Sequence, residues 1–363
     1  MAFLRSKWAP ASLIVVFLLL AYWRVTQCGF IWDDDDYVWQ NPVLRTWAGL
    51  WQIWFEPTSL PQYYPLVHTS FWLEANLFGL PPYGATMQQA DQWATGYHLV
   101  NVALHGISAM VLVRLGRRLA VPGILFAALW FLVHPVHVES VAWVTERKNV
   151  LSLLCYLLAA ERWLRWHDGQ SRRDYAIGSL WLLGALWSKT VTASLPAALL
   201  IIVWWRDGKI TKRAFLGALP WFVVGAGLGW FTVYLEATHV GAADAPWQLQ
   251  GLQRIAVAGG ACWFYMGSLL WPFDTCFNYP RWQVDPPSIW LWMAPAAAVL
   301  AVIGAWLLRA RIGRGAAAAL LMFGGTLVPA IGFFDVYPFR YSFVADHFQY
   351  HASVAVIVAI SAL

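Results

Sequence analysis

Apolar runs of about 18 residues or more, each long enough to cross a bilayer, recur along the whole chain and alternate with short polar segments. The first extends from about Trp8 to Trp23, and the second from near Tyr97 to Arg114. Others flank Ser140–Arg147, the Lys189 turn, and the basic segments near Arg206 and Arg311. The pattern predicts an all-α polytopic transmembrane helical bundle of about 10–11 membrane helices. It forms a single domain over 1–363, with a long extracytoplasmic first loop at 27–96. Leu252–Trp271 is apolar and long enough to cross, yet a simple crossing there would put Arg309–Arg314 on the wrong side. It is therefore expected to re-enter or to lie along the outer interface. An apolar helix at Val354–Leu363 occupies the end of the chain, as expected of a truncated or fragmentary product.

Charge sorting fixes the orientation. Arg5 and Lys7 precede the first run. Arg114, Arg117 and Arg118, then Arg162, Arg165, Arg172 and Arg173, then Arg206, Lys209, Lys212 and Arg213, then Arg309, Arg311 and Arg314 all fall on one side if the runs cross. That side is cytoplasmic by the positive-inside rule. The 27–96 loop carries Asp33, Asp34, Asp35, Asp36, Glu56, Glu74 and Asp91 against one Arg45. Loops longer than about 12–15 residues are usually functional. Within this one, Arg45–Phe55 places Trp47, Leu50, Trp51 and Trp54 on one helical face, as suits a helix lying on lipid headgroups.

Composition agrees. The 363 residues are 60% hydrophobic and 12% charged, with 26 Trp and a mean hydropathy of +0.53. Soluble domains carry roughly 25% charged residues, so a soluble enzyme and a disulfide scaffold are excluded. The +5 net charge follows from the basic clusters between spans, and no nucleic-acid partner is implied. Four cysteines form no CxxC pair.

Several clusters could carry chemistry. The Asp33–Asp36 run directly follows the first span. Adjacent carboxylates near a membrane suit deprotonation of a hydroxyl or capture of a divalent cation; the alternative is a solvated acidic loop that reinforces orientation. His134, His137 and Glu139 sit in His-Pro-Val-His-Val-Glu, as a metal site whose third ligand would be Glu139 or the Asp cluster, or as histidines that tie down loop carbonyls. Arg147 and Lys148 oppose the positive-inside tendency. They could hold a phosphate through an Arg fork and a Lys point charge, or pair with Asp33–Asp36. Lys189, isolated between apolar segments, is another phosphate candidate or a snorkelling turn residue. His98, Asn101 and His105 recur on one face of the second span, either lining a cavity or bonding between helices. Asp346, His347 and Tyr350 gather at the start of the last span.

In order, these segments resemble one family. Phe30-Ile31-Trp32-Asp33-Asp34, with Val38 and Asn41-Pro42, is similar to the F-V-x-D-D-x-x-x-[IV]-x-x-N-P element of the TMTC family. These are transmembrane and tetratricopeptide-repeat O-mannosyltransferases and bacterial-type relatives, of the GT-C superfamily. The resemblance continues through Tyr64-Pro65-Leu66, Gly96–His105, His134–Trp143, Glu146–Leu151, Ser188-Lys189 and Ala345–Tyr350. His134–Trp143 with Glu146–Asn149 is its most specific block. The late element departs from the common A-D-R-Y-x-Y-x-P, with His347 and Phe348 where Arg and Tyr are usual, and no tetratricopeptide repeat is present.

The resemblance implies a GT-C membrane glycosyltransferase that moves mannose or a similar hexose from a polyprenyl-phosphate carrier to a hydroxyl acceptor. That acceptor is a protein or glycan hydroxyl, with protein Ser/Thr first, and transfer occurs with inversion. The implied place is the bacterial inner membrane, with the site facing outward and the lipid bilayer as a partner. Asp33 and Asp34 become the catalytic pair, and Arg147, Lys148 and Lys189 the donor-phosphate ligands. His98, His105, His134, His137, Glu139, Asp346, His347 and Tyr350 are further site candidates. No cofactor is required; a divalent cation, Mg or Mn, is compatible with the family. Two other readings compete. A transporter or flippase for a lipid-linked or anionic solute would show broken helices in matching halves, and no such symmetry is visible. An inactive binding paralogue would fit the altered late element.

Overall fold

A computed structural model describes residues 9–235, 238, 249–284, 288–334 and 337–363. Arg5, Lys7 and most of the expected loop 236–254 lie outside the described residues. The described residues form fifteen α-helices and no strand, an all-α polytopic bundle. They divide into two units, 1–133 with 137–192, and 134–136 with 193–363.

The first unit holds α1 (Ala9–Tyr22), α2 (Trp47–Phe55), α3 (Pro65–Phe78), α4 (Met87–Ala90), α5 (Ala94–Arg118), α6 (Ile124–Val133), α7 (Val138–Ala142), α8 (Arg147–Gly169) and α9 (Arg172–Leu186). Local chemistry sets their ends. Thr46 and Ser171 cap α2 and α9 by accepting the Gly49 and Asp174 amides, Pro65 opens α3, and left-handed Gln170 stops α8, as N-caps, N1 prolines and αL residues do. Pro135 follows the end of α6, and Pro135–Ala142 turns 59° away from it, as a residue without an amide hydrogen would cause.

Contacts within this unit sort the charge. Asn101 meets Arg147, and Arg114 meets Glu161, so α5 and α8 run parallel. Arg162 pairs with Asp174, while Lys189 reaches Asn149, so α9 runs back along α8. Arg114, Arg118, Arg162 and Arg165 therefore share one end, neutralised by Glu161, Asp168 and Asp174. The acidic first loop, Arg147, Lys148 and Lys189 share the other.

That loop is packed. Phe30, Tyr37, Val38, Trp39, Ile53, Phe71, Trp72 and Tyr97 form one buried cluster, which fixes α2 and α3 against the start of α5. The expected face of α2 is split. Trp47, Trp51 and Phe55 are exposed, whereas Leu50 and Trp54 pack on the cluster and the Trp54 indole donates to the Thr69 hydroxyl at 3.0 Å. A helix pressed on a protein core can offer only one stripe outward, and here it is 47, 51, 55.

The second unit holds α10 (Leu195–Asp207), α11 (Lys212–Leu235), α12 (Gly251–Leu270), α13 (Ile289–Ile312), α14 (Gly315–Leu327) and α15 (Ser353–Ser361). α12 and α13 approach closely at Gly259, where a Cβ would lie 2.3 Å from the Pro295 nitrogen. Among the described residues four helical stretches are long and apolar enough to cross a membrane: 9–27, 87–118, 212–235 and 289–312. The bent pair 124–133 and 135–142 would make a fifth. α9, α10 and α14 have 15, 13 and 13 residues, and α8 carries Arg147, Lys148, Glu161, Arg162 and Arg165. The expected 252–271 segment is helix α12 and is not among the four.

Candidate active site

The site is built where the first loop folds back onto the start of α8. Trp32 adopts a left-handed backbone (φ 51°) immediately before the acidic run. Such strain in a non-glycine residue costs about 1–3 kcal/mol and concentrates at functional sites. Two contacts hold this loop upstream: the Phe30 amide donates to Asp91 Oδ1 at 3.0 Å, and His98 Nε2 lies 3.1 Å from the Gly29 carbonyl. The next turn, Asp35–Trp39, is a single π-helical turn that buries Tyr37, Val38 and Trp39.

The four aspartates are thereby separated. Asp34 is fully buried and completely engaged. Its Oδ2 accepts the Ile31 amide at 2.8 Å, and its Oδ1 accepts the Thr145 amide at 2.8 Å and hydroxyl at 2.6 Å. Burial pushes its pKa up to about 7 against the pull of these donors. Asp33 is half-buried, and its Oδ1 has no hydrogen-bond partner among the described residues. Burial raises its pKa, and the Lys148 ammonium draws it back. Asp36 is exposed and Asp35 accepts its amide at 2.9 Å.

Glu146–Asn149 divides its work by direction. Arg147 is fully buried and points away from the lysines. Its guanidinium forks onto the Glu74 carboxylate and donates to Asn101 Oδ1, the Ser70 hydroxyl at 3.2 Å and the Tyr97 carbonyl at 2.9 Å. Those contacts use all five of its N–H groups. None remains for a phosphate in this arrangement. Asn101 also donates to the Trp143 carbonyl at 2.9 Å, so the polar face of α5 is an interhelical network rather than a free stripe.

Lys148, Glu146 and Asn149 converge instead with Lys189. Lys148 Nζ lies 3.0 Å from Glu146 Oε1, and above the rings of Tyr37 and Trp143 at 5.4 and 5.8 Å. Lys189 Nζ lies 3.5 Å from Glu146 Oε2 and donates to Asn149 Oδ1 at 2.7 Å. Asn149 Nδ2 donates in turn to Glu146 Oε2 at 2.5 Å and the Ser140 hydroxyl at 3.0 Å. Burial and the Lys148 charge lower the Lys189 pKa to about 8, while Glu146 and half-buried Glu139 oppose the shift. Two cations, one carboxylate between them and a carboxylate with an unengaged oxygen thus occur together in the first unit.

The remaining candidates fall elsewhere. His98, His105 and His137 each place a ring nitrogen on a backbone carbonyl, of Gly29, Leu132 and Phe131. His134 does the same with Leu269 at 3.0 Å in the second unit. Asp346, His347 and Tyr350 are buried in that unit too, where Asp346 Oδ2 accepts the Tyr279 hydroxyl at 3.0 Å. Among the described residues no group of three or more His, Cys, Asp or Glu side chains is gathered as a metal site. Sequence reasoning named Glu146 only as part of a block, and gave no role to Thr145, Glu74 or Asp91. Thr145 and Asp34 are 111 residues apart, and no spacing rule links them.

No family model matches the chain. Similar proteins include the protein O-mannosyl-transferase Tmtc2 of Drosophila melanogaster, 35% identical over 128 residues, covering 32% of this chain and 14% of that protein. Human protein O-mannosyl-transferase TMTC1 is 33% identical over 162 residues, covering 41% and 17%. Protein O-mannosyl-transferase TMTC3 of Mus musculus is 30% identical over 158 residues, covering 41% and 16%. The matched region thus spans less than a fifth of each of these relatives, and all three carry the name protein O-mannosyl-transferase.

Proposed function

We propose that this chain is a membrane glycosyltransferase of GT-C type that transfers mannose or a similar hexose from a polyprenyl-phosphate carrier to a protein hydroxyl. The observation that carries the reading is the pairing of Lys148 and Lys189 on Glu146, with Asp33, whose Oδ1 is unengaged, facing the Lys148 charge. The names of the similar proteins supply the reaction class. The proposed place is a bacterial inner membrane, with the site facing outward.

The acceptor oxygen attacks the anomeric carbon from the face opposite the phosphate, and the carbon–oxygen bond to the phosphate breaks with its electron pair leaving on the phosphate. The hydroxyl proton passes to Asp33, the general base. One direct displacement inverts the anomeric centre. Lys148 and Lys189 bind the phosphate and stabilise the charge that grows on it, which is worth most where water is scarce. Asp34 positions Asp33 and Thr145, and Arg147 locks the start of α8 to α3 and α5. An ammonium is a suitable phosphate ligand as a point charge.

The test is turnover of polyprenyl-phosphate mannose by purified protein with a Ser/Thr peptide acceptor. Mannosyl peptide of inverted configuration supports the reading, and binding of the donor without transfer counts against it.

A further inference from the structure

Two ammonium groups held close together in a buried site repel one another, and burial penalises each of them. The first unit relieves both effects with one side chain. Glu146 is fully buried, and its two oxygens lie 3.0 Å from Lys148 Nζ and 3.5 Å from Lys189 Nζ. Asn149, one helical turn along α8, braces the arrangement by donating to Glu146 Oε2 and accepting from Lys189. A backbone turn fixes Lys189 on its own side, its amide donating to the Ala185 carbonyl at 2.9 Å and its carbonyl accepting the Thr192 hydroxyl at 2.7 Å.

From this geometry we infer that Glu146 is a positioning residue for the donor's phosphate, holding the Lys148 and Lys189 ammoniums on its two carboxylate oxygens so that one anion meets both. The inference rests on the glycosyltransferase reading and deepens it. Glu146 offsets the mutual repulsion of the two lysines, with Asp33 facing Lys148 and Glu139 facing Lys189 as the other carboxylates. Each ammonium carries three N–H donors. Glu146 pairs with Lys148 by charge at 3.0 Å, and Asn149 accepts one donor of Lys189, so donors remain on both for an incoming phosphate. Without Glu146 the ammoniums would separate, and Lys189 would give up its proton more readily.

Acetic anhydride labelling of the two amines, read by mass spectrometry on the purified chain in lipid nanodiscs, tests this with and without added polyprenyl phosphate. In the wild type the lipid should slow acetylation of both lysines over the same concentration range. Glu146→Gln should need at least tenfold more lipid, and should lose protection at a lower pH than the wild type, because the carboxylate helps Lys189 keep its proton against Lys148, with Glu139 the other charge facing it. Wild-type protection of both lysines in Glu146→Gln would overturn the inference and leave the glycosyltransferase reading standing. Absence of protection in the wild type would overturn the phosphate site and this inference with it. Should Glu146→Gln not fold, Glu146→Asp, one methylene shorter, carries the same comparison: an intermediate loss supports the inference and wild-type protection overturns it.

Discussion

The Asp34 carboxylate accepts both the amide and the hydroxyl of Thr145, at 2.8 and 2.6 Å, tying the first loop to the turn that opens α8. That bond converts one member of an acidic pair into structure and leaves its neighbour Asp33 for chemistry.

Thr145→Val keeps the amide donor and removes the hydroxyl. A hydrogen bond to a charged group is worth about 1.5–3 kcal/mol, so the variant should lose about that much unfolding free energy and unfold at a lower denaturant midpoint. An unchanged midpoint would show that the hydroxyl contact contributes nothing.

The two aspartates should respond differently to amidation. Asp33→Asn should lower turnover by about 100-fold or more, the usual range for general acid–base groups, with donor affinity and stability retained. Asp34→Asn places an amide NH2 against at least one of three donors, and should lower stability as well as activity. Asp36→Asn, at an exposed position, should be mild. Equal loss at Asp36 would displace the assignment within the acidic run.

The Arg147–Glu74 pair predicts a double-mutant result. Arg147→Met alone strands a buried carboxylate, and breaking such a pair costs about 3–5 kcal/mol. Combining it with Glu74→Leu should recover most of the loss, because a buried ion pair can often be replaced by apolar packing. Thermal unfolding of the two single variants and the double variant decides it. An innocuous single variant would contradict the clamp.

Activity should have two pH limbs. Asp34 titrates near 7 and Asp33 is raised by burial, so the fraction carrying the ionised carboxylates grows as pH rises towards and through 7. Lys189 titrates near 8, so phosphate binding weakens as pH rises through 8. kcat/KM should therefore peak between about 7 and 8. Lys189→Arg stays charged above that range and should remove the alkaline limb. A profile whose alkaline limb is unchanged in this variant would contradict the role of Lys189.

Gly29 packs so closely on Asp91 that a Cβ there would fall 2.1 Å from Asp91 Oδ1. Gly29→Ala should displace Asp91 from the Phe30 amide and lower both stability and turnover. Wild-type behaviour would show that the loop is anchored elsewhere.

The helical bundle was legible because apolar run length and basic clusters act over contiguous residues, and Arg114 to Arg173 do gather at one end of the first unit. Lys189 was conspicuous because a cation between apolar segments is costly, and Lys148 because it opposes the positive-inside tendency. The partners were not. Arg147 looked like a phosphate ligand in isolation, but Glu74, 73 residues earlier, consumes its fork. The Asp33/Asp34 division depends on Thr145, and the outward stripe of α2 depends on which side meets the Trp72 cluster. Each is a tertiary contact without a local signature. The four histidines, chosen for their chemistry, serve backbone carbonyls.

The most direct measurement is transfer of radiolabelled mannose from polyprenyl-phosphate mannose to a Ser/Thr peptide by the wild type beside Asp33→Asn. The account predicts turnover in the wild type and a loss of about 100-fold in the variant, with donor KM unchanged. Equal turnover in the two proteins, or donor binding without transfer in the wild type, would contradict it.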